Sequence, residues 1–90
     1  MCEAAQPVKS VFFVPVFNQA RELPGLLPAL RQASCHTVLL VNNGSSDGSE
    51  RMIHESGLPY LDLPANLGVG HSYIRALDWA LERDYVLFGT

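Results

Sequence analysis

Cysteine is nearly absent from this chain: Cys2 and Cys35 are the only two in 90 residues. Neither sits at zinc-site or redox-motif spacing, so both read as free thiols in a reducing compartment, which points to the cytoplasm. Basic residues are also scarce. Six Lys and Arg against nine Asp and Glu give a net charge of -3 with no basic run or stripe, and without that electrostatic footprint nucleic acid is excluded as a partner. Long hydrophobic runs are missing too. The apolar stretch from Val11 to Phe17 is far shorter than the roughly 20 residues of a membrane helix. Glu3 stands ahead of it where a secretory leader carries basic residues, so neither a leader nor a membrane span is expected.

An apolar content of 48% predicts one folded domain, over residues 8–90, behind a flexible tail of residues 1–7. Its stability margin is thin, since a domain of this size buries only roughly 60% of the surface its unfolded chain exposes. Val8 to Val14 reads as a strand buried on both faces and stopped by Pro15. Glu22 to Ala33 follows as a helix, with Leu23, Leu26, Leu27 and Leu30 at helical spacing, Pro24 in its first turn and Pro28 shortening or kinking it. His36 to Val41 is a second strand, closed by the turn-forming cluster Asn42 to Gly48. A helix over Asp47 to Glu55, ended by Gly57, leads to a short strand from Pro59 to Leu63. Gly70 to Arg83 is the strongest helix, with Tyr73, Ile74, Leu77, Ala80 and Leu81 on its inward face and Arg75, Asp78 and Glu82 outside. Tyr85 to Gly89 is the fourth strand. The order β-α-β-α-β-α-β predicts a doubly wound, Rossmann-like α/β fold with a parallel sheet.

Ligands of such sheets bind beyond the carboxyl ends of the strands. A strand order of 3-2-1-4 would gather Pro15 to Asn18, Asn42 to Asp47 and Gly89-Thr90 around one crevice. The loop Asn43-Gly44-Ser45-Ser46-Asp47-Gly48 opens a helix, so its backbone N–H groups and the helix dipole suit a base, ribose or phosphate, although capping preference alone explains the same residue types. Asn66-Leu67-Gly68-Val69-Gly70-His71 is a second glycine-containing helix start. It lacks the third glycine of the dinucleotide fingerprint and follows the wrong strand for one. Arg75, one turn after His71, is placed to meet a diphosphate, although a solvated face is the commoner role for such a residue. His71 reads as a surface residue, and Tyr73 and Trp79 as core rather than base-stacking groups. His36 and His54 have no Cys, Asp or Glu at ligand spacing, which predicts no metal ligands in this chain. No Ser-His-Asp or Cys-His arrangement is readable.

Three blocks in order, Val11 to Asn18, Val41 to Ser49 and Asn66 to Gly70, resemble family 2 glycosyltransferases of the GT-A fold, and the resemblance covers the N-terminal, nucleotide-binding half of that fold. It implies transfer of a sugar from a nucleoside diphosphate sugar to an acceptor such as a polyprenol phosphate or a glycan. On the same resemblance Pro15, Val16 and Asn18 line the nucleotide pocket, and Asn43 stands where an acidic residue contacts base or ribose. Ser45 and Asp47 belong to the same loop, Asn66, Gly68 and Gly70 to the loop that approaches the sugar nucleotide, and Arg75 to the diphosphate. The family usually has Asp-Asp where this chain has Asn42-Asn43. It also carries an Asp-x-Asp motif after the fourth strand that holds Mn²⁺ or Mg²⁺; the chain ends at Thr90, before such a motif. The expectation is therefore a truncated enzyme, metal-dependent when complete and inactive as this chain alone. No catalytic residue is assigned.

The fourth strand would be an uncovered apolar edge, open to self-association or to a partner strand. A non-catalytic nucleotide-binding or assembly module completed by a partner is therefore the alternative reading. A nucleotidyltransferase is disfavoured because Val16 to Ala20 contains no glycine.

Overall fold

The computed structural model describes residues 10–32 and 37–89. The expected tail, both cysteines, His36 and Thr90 lie outside them, as do the side chains of Leu87 and Phe88. The elements are β1 (Ser10–Val16), α1 (Leu23–Arg31), β2 (Thr37–Asn43), α2 (Ser49–His54), β3 (Tyr60–Leu63), α3 (Val69–Glu82) and β4 (Val86–Gly89). All strand pairs are parallel and the order is β3-β2-β1-β4, the doubly wound α/β arrangement expected from the sequence.

Two strands run further than their sequence suggests. β1 continues through Pro15 to Val16, because β4 pairs with β1 only over Ser10 to Phe12 and Pro15 has its ladder partner, Val41, on the β2 side. Proline is tolerated where a strand is flanked on one side. β2 reaches Asn43 because β3 pairs alongside it up to Asn43 and Leu63.

Side-chain alternation splits the core into two layers. Val38 and Leu40 of β2 join Val16, Leu23, Leu27 and Ile53 beneath α1 and α2, while Leu39 and Val41 join Val11, Phe13, Leu63, Ala76 and Ala80 beneath α3. Consecutive apolar residues in β2 are thus all buried, as a strand covered on both faces requires.

The inward face of α3 is the expected one only in part: Ala80 is buried and Leu77 half-buried, as the spacing predicts. Ser72, Ala76 and Ala80 are its buried residues, whereas Tyr73, Ile74 and Leu81 are 47%, 58% and 64% exposed. Small side chains four residues apart let α3 lie close against the sheet, and the larger apolar groups flank the seam. Tyr73 still meets Phe13 edge to face, with ring centroids 5.7 Å apart. Trp79 packs beside the core with Tyr85.

Because Ala76 is fully buried, Ala76→Leu overpacks this seam and should cost about 1–3 kcal/mol, read as a lowered urea midpoint. Ile74→Ser should change the midpoint little. The reverse ranking would restore the large-residue face.

Candidate functional site

The loops that follow β1 and β2 are stapled to each other. The backbone N–H of Asn18 donates to Ser45 Oγ at 3.0 Å, that of Gln19 to Ser49 Oγ at 2.9 Å, and that of Ala20 to Asp47 Oδ2 at 3.0 Å. In return the N–H of Ser46 donates to Asn18 Oδ1 at 2.8 Å. Asn18 takes φ of 50°, a left-handed conformation that Asn tolerates better than most residues.

Asp47 is the hub of the staple. Its Oδ1 accepts from both the N–H and the Oγ of Ser49, at 3.0 and 2.6 Å. These donors, the Ser49 hydroxyl first and the Ala20 N–H next, hold its carboxyl below the ordinary value of 3.8. Asp47 therefore fixes the loop and the start of α2, which begins at Ser49 rather than at Asp47. Gly48, at φ of 99°, makes the turn between them.

A third loop, between β3 and α3, closes on the second. A Cβ on Gly44 would lie 2.7 Å from Ala65 Cα, and Gly44 has φ of 71°, so glycine is required there twice over. Asn66 Oδ1 accepts the N–H of Gly68 at 3.0 Å. Gly68 enters α3 at φ of 95°, and α3 has no side-chain cap.

Asn43 lies beneath α3, 4% exposed, with Ser72 Oγ donating to its Oδ1 at 2.5 Å. Its neighbour Asn42 is 2% exposed and faces the other side of the sheet. Asn42 Nδ2 donates to Asp62 Oδ1 at 3.0 Å, and Asn42 Oδ1 accepts the N–H of Ser45 at 3.0 Å. Of the other residues singled out in the sequence, Pro15 is half-buried and Val16 belongs to the core beneath α1. Asn18, Asn66, Gly68, Gly70 and Arg75 are exposed. Asn18, Ser45 and Asp47 are brought together by the staple; Gly70 and Arg75 lie on α3.

The sequence reading that the chain offers no metal ligands is overturned. Glu50, His54 and Asp62 bring one ligand atom each within 4.8 Å of one another, and His54 Nε2 is 2.6 Å from Asp62 Oδ2. The trio is not legible in the sequence because Asp62 comes from β3, and the reversal at Gly57 returns it to the face of α2 that carries Glu50 and His54. Their spacing of four along a helix was the readable part of the signal. The roles of Ser49 and Ser72, and the partners of Asn42, are not legible in the sequence, since small polar residues near strand and helix ends are common whether or not they organise a site.

The profile of glycosyl transferase family 2 matches residues 11–88. The chain belongs to this family. No curated protein and no solved structure matches the chain. In this glycosyl transferase family 2 chain the three loops at the carboxyl ends of β1, β2 and β3 form one hydrogen-bonded, closely packed group, the position at which open α/β sheets bind ligands. The Glu50, His54 and Asp62 set combines an imidazole with two carboxylates, unlike the all-oxygen, largely hydrated octahedron of Mg²⁺. It does not fit the role that the resemblance gives to a cation on the donor diphosphate.

Two outcomes follow from the staple. Gly44→Ala should destabilise the fold by about 1 kcal/mol or more, from positive φ and the Ala65 clash, as measured by urea denaturation. Asp47 stabilises the fold fully above 3.8, and that contribution is lost as pH falls through its lower folded value. Asp47→Ala should therefore flatten the acid limb of stability against pH. Identical limbs in both proteins would remove Asp47 from the hub.

Proposed function

We propose that this chain is the nucleotide-sugar-binding half of a glycosyltransferase domain, which transfers a sugar from a nucleoside diphosphate sugar to a polyprenol phosphate or a glycan. Family membership supports the reaction class. The observation that carries the binding role is the staple: seven hydrogen bonds from Asn18, Gln19, Ala20, Ser45, Ser46 and Ser49 immobilise two loops at the mouth of the sheet. Loops held in this way lose little entropy when a ligand arrives. Ser45 and Asn18 present polar atoms beside base and ribose, and the glycine-containing start of α3 supplies N–H groups for the diphosphate. Asn43 acts from beneath, holding α3 against the loops through Ser72.

The edge position of β4, with Val86 51% exposed, favours a second reading, in which the same domain is an assembly module completed by a partner strand.

Titrating the ¹⁵N-labelled chain with uridine, guanosine and cytidine diphosphates should shift amide resonances of residues 15–20, 44–48 and 66–70 for at least one nucleotide. Asn43→Ala should weaken that binding about ten-fold, the order expected for one lost buried hydrogen bond. Shifts elsewhere, or none with any nucleotide at millimolar concentration, would refute the binding role and leave the assembly reading, which analytical ultracentrifugation tests directly.

A further inference from the structure

Glu50 and His54 are four residues apart on α2, so they project from the same face of the helix. Asp62, on the adjacent strand β3, reaches that face and meets His54 Nε2 through its Oδ2 at 2.6 Å. We propose that Glu50, His54 and Asp62 bind a divalent transition ion of the zinc class, with one imidazole nitrogen, two carboxylate oxygens and water as ligands.

The support behind the ligands separates this trio from an ordinary surface ion pair. Buried Asn42 takes Asp62 Oδ1 with its Nδ2 at 3.0 Å and so leaves Oδ2 for an ion. The Asn42 amide cannot turn over, because its own oxygen is held by the N–H of Ser45. Tyr60 stacks on the His54 ring, with centroids 4.5 Å apart and planes 26° apart, and so fixes the ring's orientation. A buried partner on the carboxylate and a fixed imidazole plane are the outer-shell features that tune metal sites. The donor set itself, one nitrogen and two oxygens, suits zinc-class ions, which tolerate three protein ligands and an open position.

An ion about 2.0–2.2 Å from each donor requires His54 and Asp62 to part slightly and Glu50 to turn inward. All three side chains are exposed, so Glu50 and Asp62 turn without displacing the core, and the His54 ring needs only to slide within its stack on Tyr60. The bound ion would join α2 to β3 and, through Asp62 and Asn42, stiffen the loop at Ser45. None of the residues assigned to the nucleotide is a ligand, so ion binding does not depend on the proposed donor site.

Calorimetric titration with zinc chloride, on the whole chain carrying Cys2→Ser and Cys35→Ser to remove competing thiols, tests the site. The expected result is one Zn²⁺ per chain at micromolar affinity, with resonance shifts at His54 and Asp62 and no competition from equimolar Mg²⁺. Affinity should fall about ten-fold or more in both His54→Gln and Glu50→Gln. Glu50 is an exposed helix residue, so Glu50→Gln keeps the fold and decides the matter even if His54→Gln unfolds. Absence of zinc binding, unchanged affinity in Glu50→Gln, or shifts centred on His71 would overturn the proposal.

Discussion

At the carboxyl end of β2 two consecutive side chains leave the strand on opposite faces, as the pleat dictates, and both are buried amides. Asn42 ties β3 to the following loop by donating to Asp62 and accepting from Ser45. Asn43 ties α3 to the other face by accepting from Ser72. One dipeptide thus fixes a strand, a loop and a helix, and the positions of all three site loops depend on it. Leaving any of these buried groups without a partner costs about 1–3 kcal/mol, a large share of the stability of a domain this small.

The two positions differ in how they would bear a carboxylate. At position 42 an Asp would lose the donor that Asp62 requires and would face another acceptor 3.0 Å away. The amide there is dictated by Asp62. At position 43 a carboxylate would accept from Ser72 as well as the amide does, but it would place a charge at a site only 4% exposed. An amide rather than a carboxylate at position 42 thus has a local cause: the chain carries Asp62 opposite it.

The element order is legible because the chain is punctuated clearly: Asn18, Asn42 to Gly48 and Pro64 follow apolar runs, and Gly57 follows a helix. Strand ends were less so, since pairing with neighbours carried β1 past Pro15 and β2 on to Asn43. The face of α3 is legible only in part, at Leu77 and Ala80, for a physical reason. Counting large apolar residues selects Tyr73, Ile74 and Leu81, whereas a helix lying close on a sheet buries its smallest residues, here Ser72, Ala76 and Ala80. Within the site, the residue types of the Asn43 to Gly48 loop were visible, but their partners at Asn18 to Ala20 lie 27 to 30 residues away. The trio on α2 and β3 was hidden in the same way, by a contact that exists only once the strand has returned.

Strand order also decides which groups remain to meet a ligand. β2 and β3 lie on one side of β1 and β4 on the other, so the winding reverses between β1 and β4, where open α/β sheets form their crevice. β4 pairs with β1 irregularly and no further than Phe12, so among the described residues Phe13 to Val16 are flanked by β2 alone. The loop bordering that gap has its N–H groups at Asn18, Gln19 and Ala20 already engaged by Ser45, Ser49 and Asp47. A loop whose amides are satisfied internally can shape a pocket, but it cannot also cradle a phosphate through them. The start of α3 is the opposite case, since it carries no side-chain cap and its first-turn amides have no intrahelical acceptor. In the proposed donor complex the β1 and β2 loops therefore hold the nucleoside by shape and side-chain polarity, while the negative charge is met from α3.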